Sequence, residues 1–268
     1  MSSVLNTYYD KIFIINLFDR REKFENVKKQ FNNRGIRVER FVAIDGRCKK
    51  ETARACIEKL KSFELSFDVT ISNDKNLPLR ELVPASSLTI GTILLLRAMV
   101  RNNWKRMLIC EDDIDLTRAF ESRFRKGLEE IGSRDYDILY LGCGGQCGVN
   151  GISLYETETH RHKSFIGSVY DDEYYIANKN DLRGICDNEE CPRFSESISV
   201  PHRPTGTWAY SFTLKGAKKF LGLLDNDAGN HIDQLLSSSS LDFLAFDPPI
   251  VYHEEQLTRA DSSIPWNW

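Results

Sequence analysis

Three consecutive carboxylates, Glu111, Asp112 and Asp113, follow directly on an apolar run, Met107-Leu108-Ile109-Cys110, and Asp115 comes two residues later. Like charges this close repel unless water, a cation or basic side chains relieve them. Carboxylates at alternate positions past a strand end can aim at one point, and hard cations such as Mg2+ and Mn2+ favour oxygen donors. A cation held there would grip a diphosphate and act as a Lewis acid as it departs. The bland alternative is a solvated strand end, with Asp115 or Thr117 capping the helix that follows.

A third reading is sharper. Asp113-Ile114-Asp115-Leu116-Thr117 fits the D-x-D-x-T string that opens a haloacid-dehalogenase-type phosphatase. There the first aspartate would be the nucleophile and the second a general acid. Against it, the apolar run stops two residues early, the motif lies mid-chain, and Asp171-Asp172 is a poor later acidic motif.

The elements that must position these acids read as an α/β succession. KIFIINL, 11–17, is a short isoleucine-rich run of a buried strand. Phe24, Val27 and Phe31 recur at helical spacing, with Gly35 placed to stop the helix. Residues 36–44 return to a β-branched alternation, and Asp45-Gly46 supplies a turn. Residues 51–61 read as a helix, 62–87 as irregular with Pro78 and Pro84 as breakers, and 89–104 as a strongly apolar helix feeding the acidic strand. A helix over 117–131, a strand over 136–141, a strand over 208–213, helices over 215–224 and 231–236, and strands over 241–246 and 250–252 complete the pattern. Ligands of such sheets bind beyond the carboxyl ends of the strands, where Glu111 to Asp113 should lie.

Bulk properties narrow the class. With 41% hydrophobic and 28% charged residues over 268 positions, the chain is globular and long enough for one well-buried domain spanning 1–268. A net charge of -3 gives no electrostatic footprint for nucleic acid or an anionic membrane. The start, MSSVLNTYYDK, lacks the apolar stretch of a secretory signal, and the longest apolar run, 90–100, is too short to span a bilayer. The expectation is a soluble, cytoplasmic protein, with a homo-oligomer left open. Of seven cysteines, Cys143 and Cys147 form a C-x3-C pair and Cys186 and Cys191 a C-x4-C pair. They could bind zinc, form disulfides or stay free.

Several segments in order resemble glycosyltransferase family 25, the group of lipooligosaccharide and collagen hydroxylysine glycosyltransferases. IFIINLFDRREKFENV is similar to that family's strand-and-arginine start, with Asn16, Leu17 and Arg20 matching and Lys23 where an arginine is usual. FVAIDGR resembles its A-x-D-G turn, and LICEDDI its E-D-D segment. DYDILYLG, GTWAYSFTLKGAKKFL, HIDQLL and DPPIV resemble later segments, so the likeness runs from about residue 11 to 255. In SLTIGTILLLRAMV, Thr92 replaces the usual glutamate and the C-x-x-S-H ending is absent, which keeps a non-catalytic, sugar-nucleotide-binding relative in view.

The resemblance implies a GT-A-type nucleotide-binding, Rossmann-like α/β sandwich with a mixed, mainly parallel central sheet. It implies hexose transfer from a nucleotide sugar, UDP-linked, to a hydroxyl acceptor on a glycan or a collagen-like hydroxylysine, with inversion and with Mn2+ or Mg2+. Carried onto this sequence, Asp113 is the leading metal ligand, and Glu111 or Asp112 contacts ribose or a metal-bound water. Glu111 is a second candidate ligand, and His253, after the last strand, a third. Asn16, Leu17, Arg20, Asp45 and Tyr210 are the nucleotide- and sugar-site candidates, with Arg20 either at phosphate or paired with Asp19 or Glu22, and Tyr210 either in the sugar pocket or in the core. Asp233, opening the 231–236 helix, is the candidate base for the acceptor hydroxyl. Its alternative is a helix-start acid favoured by the dipole. The weakly periodic stretch 142–205 is the expected acceptor region.

Overall fold

The computed structural model describes residues 3–43, 84–143, 152–156, 161–165, 194–201, 204, 206–224 and 231–253. In chain order these hold helix α1 (Val4–Tyr8), strand β1 (Lys11–Asn16), a 3-10 turn (Phe18–Arg20), α2 (Arg21–Asn32) and β2 (Glu39–Val42). Then come α3 (Pro84–Arg101), β3 (Arg106–Cys110), β4 (Ile114–Leu116), α4 (Phe120–Ile131), β5 (Ile138–Gly142), β6 (Ile152–Glu156) and β7 (Arg161–Phe165). The last are β8 (Ile198–Ser199), β9 (Ala209–Thr213), α5 (Leu214–Leu223), α6 (Ile232–Ser237), β10 (Phe243–Phe246) and β11 (Val251–His253).

Seven strands form the central sheet in the order β2-β1-β3-β9-β5-β10-β8. β1 pairs in parallel with β2 and β3, and β10 with β5. β9 runs antiparallel between β3 and β5, and β8 antiparallel on β10. The sheet is therefore mixed and mainly parallel, the class expected. Its central strands are apolar on both faces because both are covered. On one side α1, α2 and α4 pack Phe24, Phe31, Phe120 and Phe124 against Ile12, Ile14, Leu108 and Leu139. On the other, α3, α5 and α6 pack Leu94, Leu95, Ala217, Phe220 and Ile232 against Phe13, Ile109, Tyr210 and Phe212.

The expected strands and helices are present with shifted ends. Gly35 stops α2 at φ 67°, a left-handed conformation that costs glycine little. Pro84, expected as a breaker, instead opens α3; at a helix start its missing N–H would have had no partner in any case. The expected helix over 117–131 begins only at Phe120. The chain first forms β4, which pairs antiparallel with β11: Val251 opposite Leu116, Tyr252 opposite Asp115, His253 opposite Ile114. Gln30 of α2 fastens that strand, donating to Ile114 O at 3.1 Å and accepting from Leu116 N–H at 2.9 Å.

β11 passes close over the end of β5. Ile250 N–H donates to Leu141 O at 2.9 Å, and a Cβ on Gly142 would lie 2.1 Å from Val251 O. Only a residue without a side chain lets the two backbones meet there. Within the expected acceptor stretch, β6 and β7 form an antiparallel ribbon, Ile152 opposite Phe165 and Glu156 opposite Arg161. The predicted 51–61 helix lies outside the described residues.

Candidate active site

The carboxyl ends of β1 and β3 and the β4–β11 pair converge on one point. β3 delivers Glu111 to Asp113 at its end, and the β4–β11 register sets His253 across from Ile114, beside Asp113. Carboxylate and imidazole ligand atoms of Glu111, Asp113 and His253 lie within 4.8 Å of one another. His253 Nε2 is 3.2 Å from Asp113 Oδ1. Asp113 Oδ1 is fully buried, and this ion-pair contact is what answers its charge. An oxygen, an oxygen and a nitrogen facing one point are a donor set that fits a divalent cation.

Neighbours hold each of these groups. Thr207 Oγ1 donates to Glu111 Oε1 at 2.9 Å, and Glu111 N–H donates to Trp208 O at 2.9 Å. The Trp208 indole stacks on the His253 ring at 5.3 Å between centroids and 29° between planes. Burial, with the Asp113 charge next to it, pushes the Glu111 carboxyl up to about 8, against the pull of His253 and Thr207. Burial alone would also raise Asp113, but His253, Lys23 and its own backbone N–H together hold it below the ordinary carboxylate value. Burial works against charge on His253 too, yet Asp113 and Glu111 outweigh it and raise the imidazole.

Asp112 points the other way. Its Oδ2 accepts from Asn16 Nδ2 at 2.5 Å, and the same amide donates to Arg20 O at 2.7 Å. Asn16 Oδ1 accepts from Arg40 Nε at 2.7 Å, and Arg40 Nη2 donates to Leu17 O at 2.9 Å and Phe18 O at 3.1 Å. Burial and Asp113 push Asp112 up to about 6, while Asn16, Lys23 and Arg20 pull it down. Asn16 is 1% exposed. Expected at the nucleotide, it spends its amide tying the acidic segment to the 3-10 turn. Leu17 and Arg20 stand on that turn, both partly buried, and Arg20 faces Asp112. Asp45 lies outside the described residues.

Tyr210 does not line an open pocket. It is 1% exposed, shares a 2.8 Å hydrogen bond with Thr92 Oγ1, and stacks on Tyr140. Of the two readings open for it, core or sugar-pocket lining, this burial matches the core one. Burial raises the Tyr210 hydroxyl despite the Thr92 bond, and the charges of Glu111 and Asp233 raise it further. Asp233 stands in the first turn of α6, partly buried, with Oδ1 accepting from Gln234 N–H at 3.1 Å. It is not among the groups that face the cation point.

Asp115 is neither a helix cap nor an accessible acid. It sits within β4 at 1% exposure and accepts from Gln30 Nε2 at 2.9 Å. A phosphatase general acid must reach its substrate, so this burial removes the second carboxylate that the D-x-D-x-T reading needs. Cys143 is disulfide-bonded and Cys110 is a buried free thiol; Cys147, Cys186 and Cys191 lie outside the described residues. Three supporting side chains escaped the sequence reading: Arg40, Gln30 and Thr207. Thr207 stood inside the quoted GTWAY segment, the only signal that could have found it.

The comparisons follow this geometry. The sequence model "Glycosyltransferase family 25 (LPS biosynthesis protein)" matches residues 9–236. A Drosophila melanogaster protein, "Glycosyltransferase 25 family member", is 30% identical over 145 residues, which cover 50% of this chain and 21% of that protein. The match thus spans about a fifth of the relative's length. Among solved structures, mannose-1-phosphate geranyltransferase from Thermus thermophilus covers 88% of this chain and 72% of its own at 10% identity and a TM-score of 0.37. UDP-glucose phosphorylase from Trypanosoma brucei covers 79% of this chain and 39% of its own at 14% identity and a TM-score of 0.29. Those two scores are too low to carry an argument. The family match covers most of the chain, and the chain belongs to glycosyltransferase family 25.

Proposed function

We propose that this chain is a metal-dependent hexosyltransferase. It moves a hexose from a UDP-linked sugar to a hydroxyl on a glycan or a collagen-like hydroxylysine, with inversion at the anomeric carbon. The observation that carries the reading is the convergence of ligand atoms from Glu111, Asp113 and His253 within 4.8 Å of one another. Asp113, Glu111 and His253 would hold the cation. The imidazole in the set favours Mn2+ over Mg2+, which prefers oxygen donors alone. When bound, the ion supplies Lewis-acid stabilisation of the leaving diphosphate.

The chain's own groups do the rest. Thr207 fixes one oxygen of Glu111, leaving the other to face the site. Asp112 and Asn16 hold the 3-10 turn against the acidic segment, so Arg20 and Lys23 add positive charge on the diphosphate side. Asp233 takes the proton from the acceptor hydroxyl as the oxygen attacks the sugar. Acceptor choice belongs to residues 142–205. None of the described helices is long and apolar enough to cross a membrane. The Cys143 disulfide favours an oxidising compartment over the cytoplasmic location expected from composition.

The test is UDP release from a panel of UDP-hexoses with Mn2+, with and without acceptor. Asp113→Ala should abolish Mn2+-dependent UDP binding and turnover together. Asp233→Ala should keep binding and lose turnover. UDP binding by the wild type with no release from any sugar or acceptor would make the chain a non-catalytic relative instead.

A further inference from the structure

Two of the three groups at the cation point lean on one pair of residues at the head of β9. Thr207 donates to Glu111 Oε1, and Trp208 O accepts the Glu111 N–H. The Trp208 ring meanwhile lies on His253, 5.3 Å between centroids and 29° between planes. The two ligands reach the point from different sheets. Glu111 continues β3, and Cys110 opposite Ala209 sets its place in the seven-stranded sheet. His253 comes from β11, three residues long and paired with β4 in a separate two-stranded sheet. A two-stranded pair of that length is weak by itself. The Trp208 ring carries the placement of the central sheet across to it.

The stack also suits ligation. An imidazole binds a cation through a lone pair in the plane of its ring. Trp208 covers a face of that ring and leaves its edge, with Nε2 3.2 Å from Asp113 Oδ1, turned to the acids. A ring supported on its face has fewer orientations to lose when an ion arrives. We propose that Trp208 is a positioning residue: it holds the His253 imidazole ready for ligation and so gives the site its preference for Mn2+ over Mg2+. This rests on the metal-dependent reading above and names what sets its choice of ion. Mg2+ prefers oxygen donors and keeps several waters, so a well-placed imidazole counts for more with Mn2+.

The test titrates Mn2+ and Mg2+ separately, by calorimetry, into wild type, Trp208→Leu, Trp208→Phe and His253→Ala. Leucine fills apolar space but offers no aromatic face, whereas phenylalanine keeps one. Trp208→Leu should weaken Mn2+ about tenfold or more, the lower end of the loss seen when support around a ligand is removed. It should leave Mg2+ nearly unchanged, so that the ratio of the two affinities moves toward that of His253→Ala. Trp208→Phe should keep most of the Mn2+ affinity. Equal weakening of both ions in Trp208→Leu overturns the proposal, because general damage to the site spares neither. Wild-type Mn2+ affinity in Trp208→Leu overturns it as well, including the case in which only UDP-sugar binding weakens and the indole serves as a sugar platform. Wild type that binds neither ion refutes the metal-dependent reading itself, a result distinct from the others.

Discussion

Replacing Gly142 by alanine probes how the cation point is built without touching any residue that faces it. The new Cβ would sit 2.1 Å from Val251 O and 2.9 Å from its carbonyl carbon. Non-bonded carbon–oxygen contacts close to about 3.3 Å, so β11 must retreat by roughly 1 Å. His253 is two residues further along that strand and moves with it. Ligand distances in metal sites hold to about 0.2 Å, so a shift of that size takes the imidazole out of reach. Mn2+ affinity should fall about 10–100-fold, the range seen when support around a ligand is lost. Overpacking should also cost about 1–3 kcal/mol of stability.

A second glycine separates these effects. A Cβ on Gly216 would meet Asp137 O at 2.3 Å, an equal collision at the opposite end of β5. Gly216→Ala should lower Tm comparably and leave Mn2+ affinity of the folded protein unchanged. Calorimetric Mn2+ titration at a temperature where both variants are folded reads the difference. Wild-type Mn2+ affinity in folded Gly142→Ala would refute the claim that the β5–β11 crossing sets His253 at the site.

Protonation gives another prediction. Without metal, His253 is raised and Glu111 stands at about 8, so both hold protons near neutrality that cation binding must expel. Mn2+ affinity should therefore rise with pH from about 6.5 to above 8, and titrations in buffers of different ionisation enthalpy should report proton release; a flat profile would count against His253 and Glu111 as ligands. Asn16→Ala strands Asp112 and Arg40 and should cost about 2–3 kcal/mol in denaturant melts, weakening UDP while sparing Mn2+, since Asp112 is not at the cation point. Asp137 is fully buried and accepts from Lys219 Nζ at 2.9 Å and Asp242 N–H at 3.0 Å. Burial would raise its carboxyl, but those partners and Lys215 hold it low. Its stabilisation is present above the unfolded carboxylate pKa and lost as pH falls through the lower folded one, so Asp137→Ala should lower Tm at pH 7 and converge on wild type in strong acid.

Much of this fold was legible because apolar runs of five or six residues, such as 11–16 and 106–110, declare buried strands without reference to anything distant. β4 was not. Three residues, Ile114-Asp115-Leu116, carry no period, and what makes them a strand is a partner at 251–253 and a glutamine at 30. The same distance explains the error over Asp115: a carboxylate before a helix resembles a cap, and only folding reveals Gln30 beside it. Glu111, Asp113 and His253 could be nominated from residue type and segment order. That Asp112 faces away from them could not, because its direction is set by Asn16, 96 residues earlier. Arg40 carries no signal in the sequence, because the turn it holds lies more than 20 residues earlier in the chain.

The β4–β11 pair also puts the site in time. Every strand of the seven-stranded sheet has been synthesised by Phe246, whereas His253 emerges later. The sheet can thus pair before Ile250 and Val251 complete the second core and before the acidic segment gains its imidazole. Until then Asp113 lacks the imidazole that pairs with it, and the repulsion among the acids eases when Tyr252 and His253 dock across from β4. Docking of β11 on β4 is thus the contact that brings the imidazole to the acidic segment.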